Sequence, residues 1–177
     1  KDFISYFFYI DGYGSKLISK HPVIFTFYFL SGYFFYKIIL LVTNDKSFSL
    51  IGTFSYLLYP YLFGHSFVNP KDIPFLSIWM ILTYYSFYIS NIFISSNDLK
   101  YLNLFFFGII TAYLISIRIS GLIILVQYLI TFILLIDYKK VKLEFFLKKI
   151  LLKLIFFVFI IFFFIIIFYP IFWFYPS

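Results

Sequence analysis

The chain has no cysteine, which excludes disulfides, thiolate metal sites and cysteine nucleophiles while leaving the redox compartment open. Charge is scarce as well: 12% of its 177 residues are charged against 64% hydrophobic, and the mean hydropathy is +1.03. A soluble domain of this length cannot bury so much apolar surface, so the composition predicts a chain that belongs in a bilayer. There is no P-loop, no G-x-G-x-x-G, no metal-ligand spacing such as H-E-x-x-H and no internal repeat, and a nucleotide-driven engine therefore has no support. No signal peptide is visible.

What is present is basic and aromatic. The formal net charge is +7, but the largest basic group, residues 139–153, lies between two apolar runs and not on a polar face. That is the signature of a positive-inside loop, and no nucleic-acid partner is expected. Aromatic residues make up 28% of the chain, as an AT-rich coding sequence tends to produce, and near the ends of apolar runs they suit interfacial anchoring. The chain begins at Lys1 and stops at Ser177 just after an apolar run, the pattern of a piece of a longer protein.

The apolar runs predict an all-α polytopic transmembrane bundle of about six visible spans, approximately 22–43, 48–63, 73–94, 101–117, 119–137 and 150–169. At about 1.5 Å per residue, some 21 residues cross a hydrocarbon core of about 30 Å. Residues 1–21 read as an interfacial loop with a turn at Asp11-Gly12-Tyr13-Gly14, after which Pro22 suits a first helical turn. Asn44-Asp45-Lys46 reads as a tight turn, Pro60 as a kink or stop, and Arg118-Ile119-Ser120-Gly121 as the break within a run too long for one helix. With the 139–149 loop cytoplasmic, alternation puts nine of the fourteen basic residues on that side. Asp2, Asp11, His21, His65, Lys71, Asp72 and Arg118 then share the opposite face.

The densest polar stretch is 59–75, YPYLFGHSFVNPKDIPF, read as a loop where a helix meets water. Each of its groups has a plain structural role to weigh against a chemical one. Asp72 fits a helix N-terminal acid, His65 a helix-end polar residue, Lys71 an interfacial charge, and Asp11 half of an Asp-Gly turn. Arg118, between two apolar half-runs, needs a tight turn that lets it snorkel, an acidic partner or an anionic ligand. Together these carboxylates and cations are what a reaction on a lipid-phosphate substrate needs: a base for an attacking hydroxyl and fixed charge for the departing phosphate.

HPVIF, then SYLLYPYLFGHSFVNPKDIPF, ISIRISGLIIL and YPIFWFYP, in that order, resemble the landmarks of the dolichyl-phosphate-mannose protein mannosyltransferase and aminoarabinose transferase superfamily. These are GT-C-type integral-membrane glycosyltransferases, and PYLFGHSFVNPKDIPF is similar to bacterial members. The resemblance implies a polyprenyl-phosphate-sugar donor, a lipid, protein or glycan acceptor, surrounding membrane lipids, a possible divalent cation and a bacterial inner-membrane location. It implies catalytic roles for Asp11 and Asp72 and substrate-binding roles for Lys71, Arg118 and His65. The family's second acid maps onto Asp72. Its first stands at Asp11 or Asp2, or in a segment preceding Lys1, because this chain has no Asp-Glu pair. A secondary transporter and a non-catalytic membrane subunit are the competing expectations.

Overall fold

A computed structural model describes residues 13–96, 100–139 and 144–168. The expectations for Asp2, Asp11, the centre of the basic loop and the aromatic stretch from 169 onward lie outside the described residues. Among the described residues every element is helical: α1 (Tyr13–Thr43), α2 (Lys46–Leu57), α3 (Pro60–Val68), α4 (Asp72–Ser96), α5 (Tyr101–Ile117), a 3-10 turn (Ile119–Leu122), α6 (Ile123–Lys139) and α7 (Glu144–Phe168). Three segments, His21–Thr43, Asp72–Ile92 and Leu151–Phe168, are long and apolar enough to cross a membrane. Tyr101–Ile117 and Ile119–Leu135 are apolar but shorter. The chain divides into two compact units, residues 1–81 and 82–177, with the division inside α4.

In the first unit, α1 begins at Tyr13, so Pro22 stands inside the helix and not at its first turn. The α1–α2 corner is built as the Asn-Asp-Lys triplet suggests. Asn44 adopts φ 54°, a left-handed conformation that asparagine tolerates, and its N–H donates to the Leu40 carbonyl. Asp45 then caps α2, its Oδ1 accepting from the N–H groups of Ser47 at 2.8 Å and Phe48 at 3.2 Å.

The stretch expected to form one span over 48–63 and then a loop is instead two helices, α2 and α3, with the interruption at Leu58-Tyr59. Proline causes it. Pro60 disfavours the helical region at Tyr59, which is extended (φ −61°, ψ 115°), and it carries no N–H to donate four residues back to the Tyr56 carbonyl. The buried Tyr28 hydroxyl of α1 fills the gap, lying 2.9 Å from the Tyr56 carbonyl and 3.0 Å from that of Leu57. Ser31 joins the same network, bonded to the Tyr56 hydroxyl at 2.8 Å and donating to the Tyr28 carbonyl at 2.5 Å. Ile24, Tyr28 and Ile73 form the buried centre of this unit, packed by Tyr56, Leu57 and Leu62.

In the second unit the chain leaves α5 at Arg118, which is extended (φ −150°, ψ 134°), and turns through the 3-10 segment into α6. Gly121 closes the corner because a Cβ there would stand 3.1 Å from the Leu114 carbonyl oxygen and the Ile115 Cα. Helices α5 and α7 meet closely at Gly108, and Ala112, Ile115 and Ile161 form the buried cluster beside it. Helix α6 is tied in by polar pairs: Gln127 Nε2 donates to Thr83 Oγ1 at 2.7 Å, and the Tyr128 and Thr111 hydroxyls are 3.0 Å apart.

Burial reverses the pattern of a water-soluble protein. Among the described residues, all eight buried polar side chains are Ser or Thr, whereas Leu, Ile, Val and Phe are exposed along most helices, Phe162 at 66% and Leu152 at 66%. Helices approach through small residues, and their hydroxyls return to their own backbone, as Ser77 Oγ does to the Ile73 carbonyl and Thr111 Oγ1 to that of Phe107. Such a surface suits hydrocarbon, where packing and not water exclusion holds helices together.

Two substitutions test this packing. Gly108→Ala would place a Cβ 2.7 Å from Cγ2 and 3.2 Å from Cβ of Ile160, a β-branched side chain with little freedom to move. It is expected to cost about 1–3 kcal/mol in detergent unfolding. Gly64→Ala, which meets nothing within 4 Å, should be neutral or stabilising. Tyr28→Phe keeps the ring and removes the hydroxyl from the α2–α3 break, with an expected loss of roughly 1–3 kcal/mol measured the same way.

Candidate functional site

The polar residues of 59–75 gather where α3 ends and α4 begins, His65 and Asp72 on the helix ends and Asn69 and Lys71 in the short link between them, and not on one long loop. Helix α3 closes with the Asn69 N–H donating to the His65 carbonyl at 2.9 Å. Asn69-Pro70-Lys71 then links the two helices, and Asp72 opens α4 with Pro74 in its first turn.

Asn69 holds this junction together. Its Oδ1 accepts from the backbone N–H of Asp72 at 2.9 Å and of Lys71 at 3.2 Å, satisfying donors at the start of α4. Its Nδ2 donates to Asp72 Oδ2 at 2.7 Å and lies 3.3 Å from His65 Nδ1. The second contact makes Nδ1 of His65 an acceptor, which places that ring's proton on Nε2 when it is neutral. The Tyr61 ring lies 4.4 Å from the imidazole centroid. His21, on α1, bonds through Nδ1 to the Phe67 carbonyl and so ties the end of α3 to the first helix. A stacked pair, Phe25 and Phe67, reinforces that tie with ring centroids 5.3 Å apart.

Three of the residues expected to form a site, His65, Lys71 and Asp72, thus come together. Asp72 stands in the first helical turn as its capping role requires, yet Asn69 makes the backbone cap and Asp72 is the group that Asn69 holds. Asp72 is half-buried with Oδ1 shielded from solvent, and Lys71 is exposed. Arg118 belongs to the second unit, exposed at the α5 corner, where its backbone N–H donates to the Leu114 carbonyl and its carbonyl accepts from Gly121. Asp11 lies outside the described residues. Among the described residues no three His, Asp or Glu gather as a metal-binding set. Asn69 was visible in the sequence only as one polar residue among several, although Asn-Pro followed by Asp two residues later is a turn and helix-start signal.

This arrangement supplies a carboxylate of fixed orientation at a helix N-terminus, an imidazole linked to it through one amide, and a lysine beside it. It can accept a proton from a hydroxyl and place positive charge near an anion. No protein-family model, curated protein or solved structure matches the chain.

Asn69→Ala removes the α4 cap and the Asp72 contact together. Stability is expected to fall by about 1 kcal/mol in detergent unfolding, whereas Lys71→Ala, which leaves the backbone N–H in place, should fall within about 0.5 kcal/mol of wild type.

Proposed function

We propose that the chain is part of a multi-pass glycosyltransferase of the GT-C type in a bacterial inner membrane, moving a sugar from a polyprenyl-phosphate donor to an acceptor hydroxyl at the non-cytoplasmic face. The observation that carries this reading is the hold of Asn69 on Asp72, with His65 in the same network. The order of sequence landmarks and the lipid-suited surface support it.

In the proposed reaction the acceptor hydroxyl gives its proton to Asp72 as its oxygen bonds to the anomeric carbon. The bond from that carbon to the phosphate oxygen breaks, and polyprenyl phosphate leaves with the electron pair, inverting the anomeric centre. Lys71 supplies positive charge to the departing phosphate. His65 acts through Asn69 as a positioning residue. Arg118 remains the second cation that the resemblance assigns to the phosphate.

One observation favours a second reading, secondary transport: the α2–α3 interruption is the kind of broken helix that transporters use to bind ions. Against it, the Tyr28 hydroxyl already occupies the carbonyls of Tyr56 and Leu57 that such a break offers.

The test is transfer of radiolabelled sugar from polyprenyl-phosphate donors in membranes carrying the full-length protein. Wild type should transfer, and Asp72→Asn should lower the rate by roughly 100-fold or more at matched membrane levels. Equal rates for wild type and Asp72→Asn would overturn the site. A wild type inert with every donor that takes up solute down an ion gradient would favour transport.

A further inference from the structure

We propose that the α3–α4 junction is a pH-sensitive switch: protonation of His65 breaks its contact with the Asn69 amide and so changes the hold of that amide on Asp72. The three side chains are half-buried together, and the amide is oriented without help from the histidine. Asn69 Oδ1 accepts from the backbone N–H groups of Asp72 at 2.9 Å and Lys71 at 3.2 Å. Nδ2 is therefore turned away from them, with one hydrogen for Asp72 Oδ2 at 2.7 Å and the other for His65 Nδ1 at 3.3 Å. A donor placed there needs a lone pair opposite it. The neutral imidazole supplies one, and the imidazolium, a donor at both nitrogens, does not. Histidine is the side chain that ordinarily changes charge between about pH 5 and 8.

The charged ring has one favourable move. Turning the Asn69 amide over would offer the ring Oδ1, but it would set the NH2 group against two backbone N–H donors and the oxygen against Asp72. Three contacts would be lost for one gained. Moving the imidazolium toward the Asp72 carboxylate, which is held by the same amide nitrogen, keeps the α4 cap and gives the ring a charge-assisted partner. The last turn of α3, where His65 stands, also suits a cation. The other ionisable groups about the junction leave this contact alone. Tyr61, one turn earlier on α3, meets the imidazole through its ring, and Lys71 is exposed and meets Asn69 through its backbone N–H. From α1, His21 donates through Nδ1 to the Phe67 carbonyl, a bond that both the neutral and the charged ring can make, and Lys16 and Lys20 precede it on that helix. From α2, the Tyr56 hydroxyl is bonded to that of Ser31. The switch rests on these contacts and on no substrate, so it stands or falls separately from the sugar-transfer reading. Where Asp72 is the base of that reaction, the switch makes the base dependent on external pH.

The experiment is nuclear magnetic resonance of the full-length protein in lipid nanodiscs, without donor, with isotope-labelled histidine, asparagine and aspartate side chains, from about pH 5 to 8. At the alkaline end the His65 Nδ1 signal should be that of a nitrogen without a proton. As the pH falls, the Asn69 amide and Asp72 carboxyl signals should shift with the same midpoint as His65. His65→Phe, which keeps a ring against Tyr61, should abolish most of the Asn69 shift, and the wild-type titration decides alone if that variant misfolds. An Asn69 amide that stays still while His65 titrates would overturn the proposal. So would an Asn69 shift that survives in His65→Phe, a proton on Nδ1 of the neutral ring, or a His65 that keeps one charge across the range.

Discussion

Every backbone carbonyl and amide in a hydrocarbon setting must find a partner inside the protein, and the shape of this chain follows from how it meets that demand wherever a helix stops. At the α2–α3 interruption proline removes one donor, and a tyrosine hydroxyl from the neighbouring helix replaces it. At the α1–α2 corner a left-handed asparagine and an aspartate cap share the task. At the α5–α6 corner the 3-10 turn satisfies Arg118 and Gly121 locally, and glycine is needed because the turn lies against the preceding backbone. Each solution uses one polar side chain, or none, at a definite position.

The same economy governs helix packing. Serine and threonine fill the interior because they are small enough for close approach and can return their hydroxyl to the carbonyl three or four residues earlier. Large aliphatic and aromatic side chains are left outside, where lipid solvates them at no cost. One consequence is that the described interior holds few groups able to react. Chemistry at a carboxylate is confined to the interfaces, where water reaches a helix end, and Asp72 stands at such an end.

Much of this was legible from residues alone. The all-helical class followed from long apolar runs, and the breaks at Asn44-Asp45, Pro60 and Arg118-Gly121 followed from turn chemistry that does not depend on distant contacts. Helix formation across 60–68 was not legible. Three prolines, a glycine and a histidine within 59–75 suggest a loop, but Pro60 sits at a first helical position, where it costs nothing, and Gly64 is tolerated in a short helix held by the Phe25–Phe67 stack and the His21 bond. Those ties come from α1, some forty residues earlier, and periodicity within the segment cannot report them. Pro22 misleads in the other sense: as a residue it suits a helix start, whereas α1 already runs through it from Tyr13. Asn69 was overlooked because its importance lies in making four contacts at once, and composition does not reveal that.

The multiple roles of Asn69 also constrain how this junction can vary. One amide begins α4, through its oxygen, and orients Asp72 and His65, through its nitrogen, so folding of the junction and geometry of the carboxylate are not separable at that residue. An isosteric aspartate at position 69 would keep the helix cap but replace the donor with an acceptor 2.7 Å from a second carboxylate, turning attraction into repulsion. A serine would keep a shorter cap and release Asp72. If the only demand on position 69 were to start a helix, any of the usual capping residues would serve about equally. Asparagine is the choice that also gives the acid a donor, and the donor is what distinguishes a carboxylate held in one orientation from a solvated charge at a helix end.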